Sequence, residues 1–197
     1  AVLMALLAAL IAAARSSRIL EMETLLETVM WGPGHLLQIA NVAFAIMAWA
    51  LLAVLAWARP VEGRWLWIGV ATSLALPLVA AALILVWRDP SSWLYRQGFT
   101  TLMRWGLFPA VAVALPLGLG VAGRFRTASR CDRSAAAALV ASTLLMLVGF
   151  AFGAAIRGSD LRIPGHYHAC IGAVTLAYMA LSLLLPGLEA GAPPSAA

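Results

Sequence analysis

Runs of about twenty residues without a single Asp, Glu, Lys or Arg recur along this 197-residue chain, and their length is the strongest constraint on its fold. A helix rises about 1.5 Å per residue and the hydrocarbon core of a bilayer is about 30 Å thick, so roughly 20 apolar residues cross it. Residues 31–57, 65–87, 105–123, 134–156 and 165–185 all meet that length. Residues 1–14 are apolar throughout but short, without the basic segment that opens a signal peptide. They read as a helix whose start is missing, so the chain looks like a piece of something longer. The expectation is an all-α, polytopic transmembrane helix bundle of about six spans. It would form a single helical domain over residues 1–187, followed by a polar, flexible tail at 188–197.

Composition agrees. Hydrophobic residues make up 63% of the chain and charged residues 11%, against roughly 45–50% and about 25% in soluble domains. That balance excludes a water-soluble enzyme, a disordered regulator and a nucleic-acid-binding domain. The net charge of +5 comes from arginines alone, since no lysine occurs, and a basic membrane protein needs no polyanionic partner to explain it. Lipid is the expected surrounding, with no nucleic acid. Cys131 and Cys170 have no metal-ligand spacing. Cys170 reads as a small buried hydrophobe and Cys131 as a loop thiol.

Tryptophans mark the ends of the spans. Trp31, Trp57, Trp65, Trp67, Trp87 and Trp105 fall at boundaries, where an amphipathic ring suits the headgroup layer, and Trp49 lies deep in a span. Six spans place the connections on alternating sides, and the arginine cluster at residues 124–133 points to a cytoplasmic side. Residues 91–98, on the other side, read as a short interfacial helix.

Polar residues inside spans are the informative ones, because they are costly there. The three histidines, His35, His166 and His168, stand near the starts of two even-numbered spans, which enter from the same side, so a similar shallow depth is expected. His35 alone reads as an interfacial residue, with Gln38 and Asn41 as helix–helix hydrogen-bond partners. Two residues along a helix turn by about 200°, so His166 and His168 point to nearly opposite faces. Such a pair cannot close on one ion but can hold one ligand on each side, and imidazole is a common axial ligand of haem iron. The segment Trp31-Gly-Pro-Gly-His35 reads as a helix start whose small residues let a large group approach the backbone.

The segment Ile163-Pro-Gly-His-Tyr-His168, running on through Leu-Leu-Pro186, resembles the tenth helix of the haem–copper oxidase catalytic subunit. That family includes cytochrome c oxidases, quinol oxidases and nitric oxide reductases. Trp31-Gly-Pro-Gly-His35 is similar to its sixth helix, and the two motifs stand four spans apart, as in the family. The resemblance covers about residues 1–187, as helices five to ten. It implies b- or a-type haem, with His166 the ligand of the high-spin haem and His168 that of the low-spin haem. His35 would be a ligand of copper or non-haem iron. It also implies a cytochrome c or quinol electron donor, other membrane subunits of a larger complex and a place in the bacterial inner membrane.

The chain departs from the family where a His-His pair is expected. Residues 83–93 read Leu-Ile-Leu-Val-Trp-Arg-Asp-Pro-Ser-Ser-Trp, without histidine, and Ile39 stands where many oxidases have tyrosine. One imidazole does not make a three-nitrogen copper site. The expected function is therefore a haem-binding redox subunit carrying electrons, with reduction of oxygen or nitric oxide if the site is catalytic. The competing reading is a non-catalytic accessory subunit of a respiratory or photosynthetic complex.

Overall fold

The computed structural model describes residues 1–16, 21–57, 63–122, 130–158 and 160–189. These residues form helices and no strand. In chain order the helices are α1 (Val2–Arg15), α2 (Met22–Trp57), α3 (Arg64–Trp87), α4 (Trp93–Gly106), α5 (Phe108–Ala122), α6 (Arg130–Ala155) and α7 (Arg162–Glu189). Five segments are long and apolar enough to cross a membrane, and α1 is a shorter apolar helix. The protein is an all-α polytopic bundle. Arg124 and Arg126 of the basic cluster, and the tail from residue 190 onward, lie outside the described residues.

Several boundaries differ from the expectation, among them the start of α6 at Arg130, which puts Cys131 in a helix and not in a loop. The helix expected to start at Trp31 starts at Met22 and continues through Pro33. Glu23 lies in its first turn, where a carboxylate suits the positive end of the helix dipole. Pro33 has no N–H to offer the carbonyl of Val29, a loss that bilayer helices tolerate when neighbours compensate. The third expected span is preceded by a helix of its own. The expected interfacial segment 91–98 becomes α4, two turns longer, with Ser92 as N-cap accepting the Tyr95 N–H. α4 ends at Leu107, and Pro109 stands in the first turn of α5, where its missing N–H costs nothing.

The packing divides into two compact units, Ala1–Ala43 with Trp65–Val113, and Phe44–Arg64 with Ala114–Ala197. In the first unit, α4 is drawn onto its neighbours through glycines. A Cβ at Gly98 would meet Ile84 of α3 at 3.1 Å, and one at Gly106 would meet Pro77 at 3.4 Å. The Arg15 guanidinium, at the end of α1, donates to the Leu85 carbonyl in the last turn of α3 at 3.1 Å, a carbonyl that the helix itself leaves unpaired. On α3, Leu76, Val79, Leu83 and Val86 are all exposed and recur every three or four residues, forming a stripe suited to lipid.

The second unit is organised by the antiparallel pair α6 and α7. Gly149 and Gly153 form a G-x-x-x-G step on α6, and Ala169, Ala173 and Ala177 are buried on α7. Small residues let two backbones approach closely, which is how helices associate where solvent is as apolar as leucine. A Cβ at Gly149 would lie 2.5 Å from the Cys170 Sγ and 3.0 Å from its backbone nitrogen. A polar chain then ties a third helix to this seam. Trp49 of α2, fully buried, donates from Nε1 to the Ser142 hydroxyl at 2.8 Å, and Ser142 donates to the Ala173 carbonyl at 2.7 Å. Ser142→Ala leaves a buried indole N–H without an acceptor and should destabilise the protein by about 1–2 kcal/mol. Unfolding in detergent measures this, and Trp49→Phe in the same background should recover part of the loss.

Candidate functional site

His35 is positioned by the first half of α2 and by one face of α4. Its Nδ1 lies 2.5 Å from the carbonyl oxygen of Trp31, one turn earlier. The ring is tilted between Trp31, at 5.1 Å between centroids, and Phe99, at 5.9 Å. Phe99 is held in turn by Tyr95, edge to face at 5.0 Å. Both are fully buried. This contact needs Gly32: a Cβ there would collide with the Tyr95 hydroxyl and lie 3.0 Å from Phe99. The expected role of the small residues at 32–34 is thus divided. Gly32 admits the α4 aromatics, whereas a Cβ at Gly34 would meet nothing within 4 Å, so the space there is open.

Arg96 closes this cluster from the α4 side. Its guanidinium pairs with Glu27 at 2.9 Å, reaches the Thr28 hydroxyl at 3.4 Å and lies 5.3 Å from the centre of the Trp31 ring. Trp31 answers by donating its Nε1–H to the Arg96 carbonyl at 3.3 Å. Neither Arg96 nor Phe99 stands out in the sequence as part of a histidine site, because the contact joins residues more than sixty positions apart. Gln38 and Asn41, the expected hydrogen-bond partners near His35, make no side-chain hydrogen bond among the described residues.

The H-x-H pair lies in the second unit, and its two rings take different environments, as helical geometry requires. His166 turns toward α6. Its Nδ1 is 2.7 Å from the Gly149 carbonyl, and a Cβ at Gly153 would come within 2.9 Å of that same nitrogen. Cys170, one turn along, is half-buried with its Sγ 3.6 Å from the His166 Nδ1. His168 is exposed, with its Nδ1 2.7 Å from the Pro164 carbonyl of its own helix. The start of α7 is held by Asp160. Its carboxylate accepts from the Arg162 backbone N–H at 2.8 Å and from the guanidinium of the same residue. The expected connection at Pro164 is instead the first turn of α7, where proline costs no hydrogen bond.

These contacts fix the chemistry of the rings. A carbonyl oxygen can only accept, so each histidine donates from Nδ1–H, and in the neutral imidazole Nε2 then carries the free lone pair. Histidines that bind metals or haem iron are oriented in this way, with one ring nitrogen anchored to a carbonyl and the other left for the ligand bond. A cluster is missing, however. Among the described residues no three His, Cys, Asp or Glu side chains converge to hold a metal ion.

The Arg162 hydrogen bonds hold the Asp160 carboxyl below the usual carboxylate range. A depressed folded-state value means that the contribution is full above the ordinary aspartate range and disappears as the pH falls through the lowered one. Acidification below about pH 4 should therefore loosen the first turn of α7, and hydrogen exchange at residues 162–166 reads the effect. Asp160→Asn should remove most of the pH dependence. Set beside protein-family models, curated proteins and solved structures, the chain matches none of them.

Proposed function

We propose that this protein is a haem-binding redox subunit of the membrane, with His166 and His168 as ligands to two separate irons on opposite faces of α7. The observation that carries this reading is the shared state of the imidazoles: each is anchored through Nδ1 to a backbone carbonyl, leaving Nε2 as a donor. His168 adds a second argument. An exposed imidazole on a helix facing hydrocarbon is costly unless it has a partner, and an iron at Nε2 is such a partner. His166, anchored on the opposite side by α6, is held away from whatever His168 grasps.

Haem, when bound, supplies a one-electron iron couple. The chain's own residues hold and orient it: carbonyls fix the ring tautomers, the α6 glycines seat His166, and open space at Gly34 lies beside His35. Copper or non-haem iron does not fit the residues present, since among the described residues no three His, Cys, Asp or Glu side chains converge to hold it. Electron transfer is accordingly favoured over reduction of oxygen or nitric oxide. A bacterial inner membrane, a cytochrome c or quinol donor and further membrane subunits complete the proposal, in keeping with the resemblance to the haem–copper oxidase catalytic subunit.

A second reading is supported by one specific contact. His166 fills the notch of the G-x-x-x-G step and bonds to its carbonyl, as a residue that packs two helices would. On that reading the chain is an accessory subunit of a respiratory or photosynthetic complex. A pyridine haemochrome assay of the purified protein separates the two. The redox reading expects two haems per chain, with one lost in His168→Ala and the other in His166→Ala, while His35→Ala keeps both. A Soret band that is missing, or unchanged by both substitutions, overturns it. One haem lost equally in His35→Ala and in one other variant would replace it with a bis-histidine site.

A further inference from the structure

We infer that Arg96 is a positioning residue for the His35 imidazole, acting through Trp31, so that α4 presets His35 as an Nε2 donor. The inference does not depend on the assignment of haem to His166 and His168: its geometry stands without iron. His35 is tied to Trp31 twice, by Nδ1 on the Trp31 carbonyl and by the contact between the rings. The carbonyl is set by the α2 backbone, so Arg96 reaches His35 only through the indole ring, whose position beside the imidazole favours the rotamer that keeps Nδ1 on that carbonyl. Arg96 grips Trp31 from two directions, with its guanidinium toward the ring and its carbonyl accepting the indole N–H. The guanidinium is itself fixed by Glu27 and Thr28, one turn before Trp31 on the same helix.

Spacing on α4 makes this a single device. Tyr95, Arg96 and Phe99 share one face, because residues three and four apart are neighbours on a helix. Phe99 is a second ring neighbour of His35, at 5.9 Å between centroids. The imidazole is therefore held between an indole anchored by Arg96 and a phenyl ring anchored by Tyr95, with its Nδ1–H consumed by a carbonyl. That setting favours the tautomer with the proton on Nδ1. Arg96 is about one-third exposed and Glu27 about half exposed, so the pair can be changed without opening the buried aromatic contact.

The chain has only three histidines, which makes the test direct. Haem-free protein labelled with nitrogen-15 histidine and reconstituted in lipid gives three sets of ring resonances, assigned through His35→Gln, His166→Gln and His168→Gln. The wild type should show His35 with Nδ1 protonated and Nε2 bare. Arg96→Gln should add a second His35 population protonated at Nε2, with the His166 and His168 signals unmoved as internal controls. Glu27→Gln should move His35 in the same direction by a smaller amount. A wild-type His35 protonated at Nε2, or an Arg96→Gln spectrum identical to wild type, overturns the inference. If Arg96→Gln does not fold, an unchanged His35 ratio in Glu27→Gln overturns it instead. Because no iron is present, these results stand apart from the haemochrome assay: absent haem defeats the redox reading and leaves the tautomer result intact.

Discussion

A backbone carbonyl has two acceptor sites, and in hydrocarbon its helix uses only one of them. Much of what is specific in this protein hangs from the acceptor sites that the helices leave free. His35, His166 and His168 anchor on the carbonyls of Trp31, Gly149 and Pro164, Ser142 on Ala173 and Arg15 on Leu85. Each contact gives a polar side chain a partner within the protein. Two of the five, at His35 and His168, run back one turn along the same helix. His166, Ser142 and Arg15 reach across to a neighbouring helix, and these three bind structure together.

That distinction separates the roles of the histidines. His168 is anchored without help from any other helix, so its ring position follows from α7 alone. His166 is anchored by α6, and its position depends on how closely α6 and α7 approach. The glycines at 149 and 153 set that approach, because any side chain there would meet Cys170 or His166. His35 lies between these cases: its hydrogen bond is local, but the rings beside it include one supplied by α4. A site built in this way is preorganised, and preorganised donors lose little freedom when a ligand arrives.

The resemblance to the haem–copper oxidase subunit rests on two short motifs, and haem and a redox role are proposed with it. The H-x-H geometry was legible because helical rotation alone turns neighbouring odd positions apart. The extent of α2 was less legible, since Gly-Pro-Gly in a soluble chain ends or starts a helix. In a bilayer the alternative to helix is an unsatisfied backbone, so α2 continues through Pro33. α4 was visible only as a short interfacial helix over residues 91–98. Its docking residues Tyr95, Arg96 and Phe99 acquire meaning from contacts with α2, on which local sequence is silent.

By itself the sequence determined the class of the protein: the absence of charge over successive runs of bilayer length demands spanning helices. It also determined that the two imidazoles of α7 diverge. Tertiary structure alone decided which faces meet, that Trp49 joins Ser142, that His166 seats against α6 glycines, and that Arg96 braces Trp31. The reason is physical. In water, a hydrophobic stripe reveals the buried face of a helix, but lipid is as apolar as leucine and erases that signal. What remains to choose a partner is small residues that permit close approach and scattered polar groups that need each other, and those become visible only when the helices are side by side.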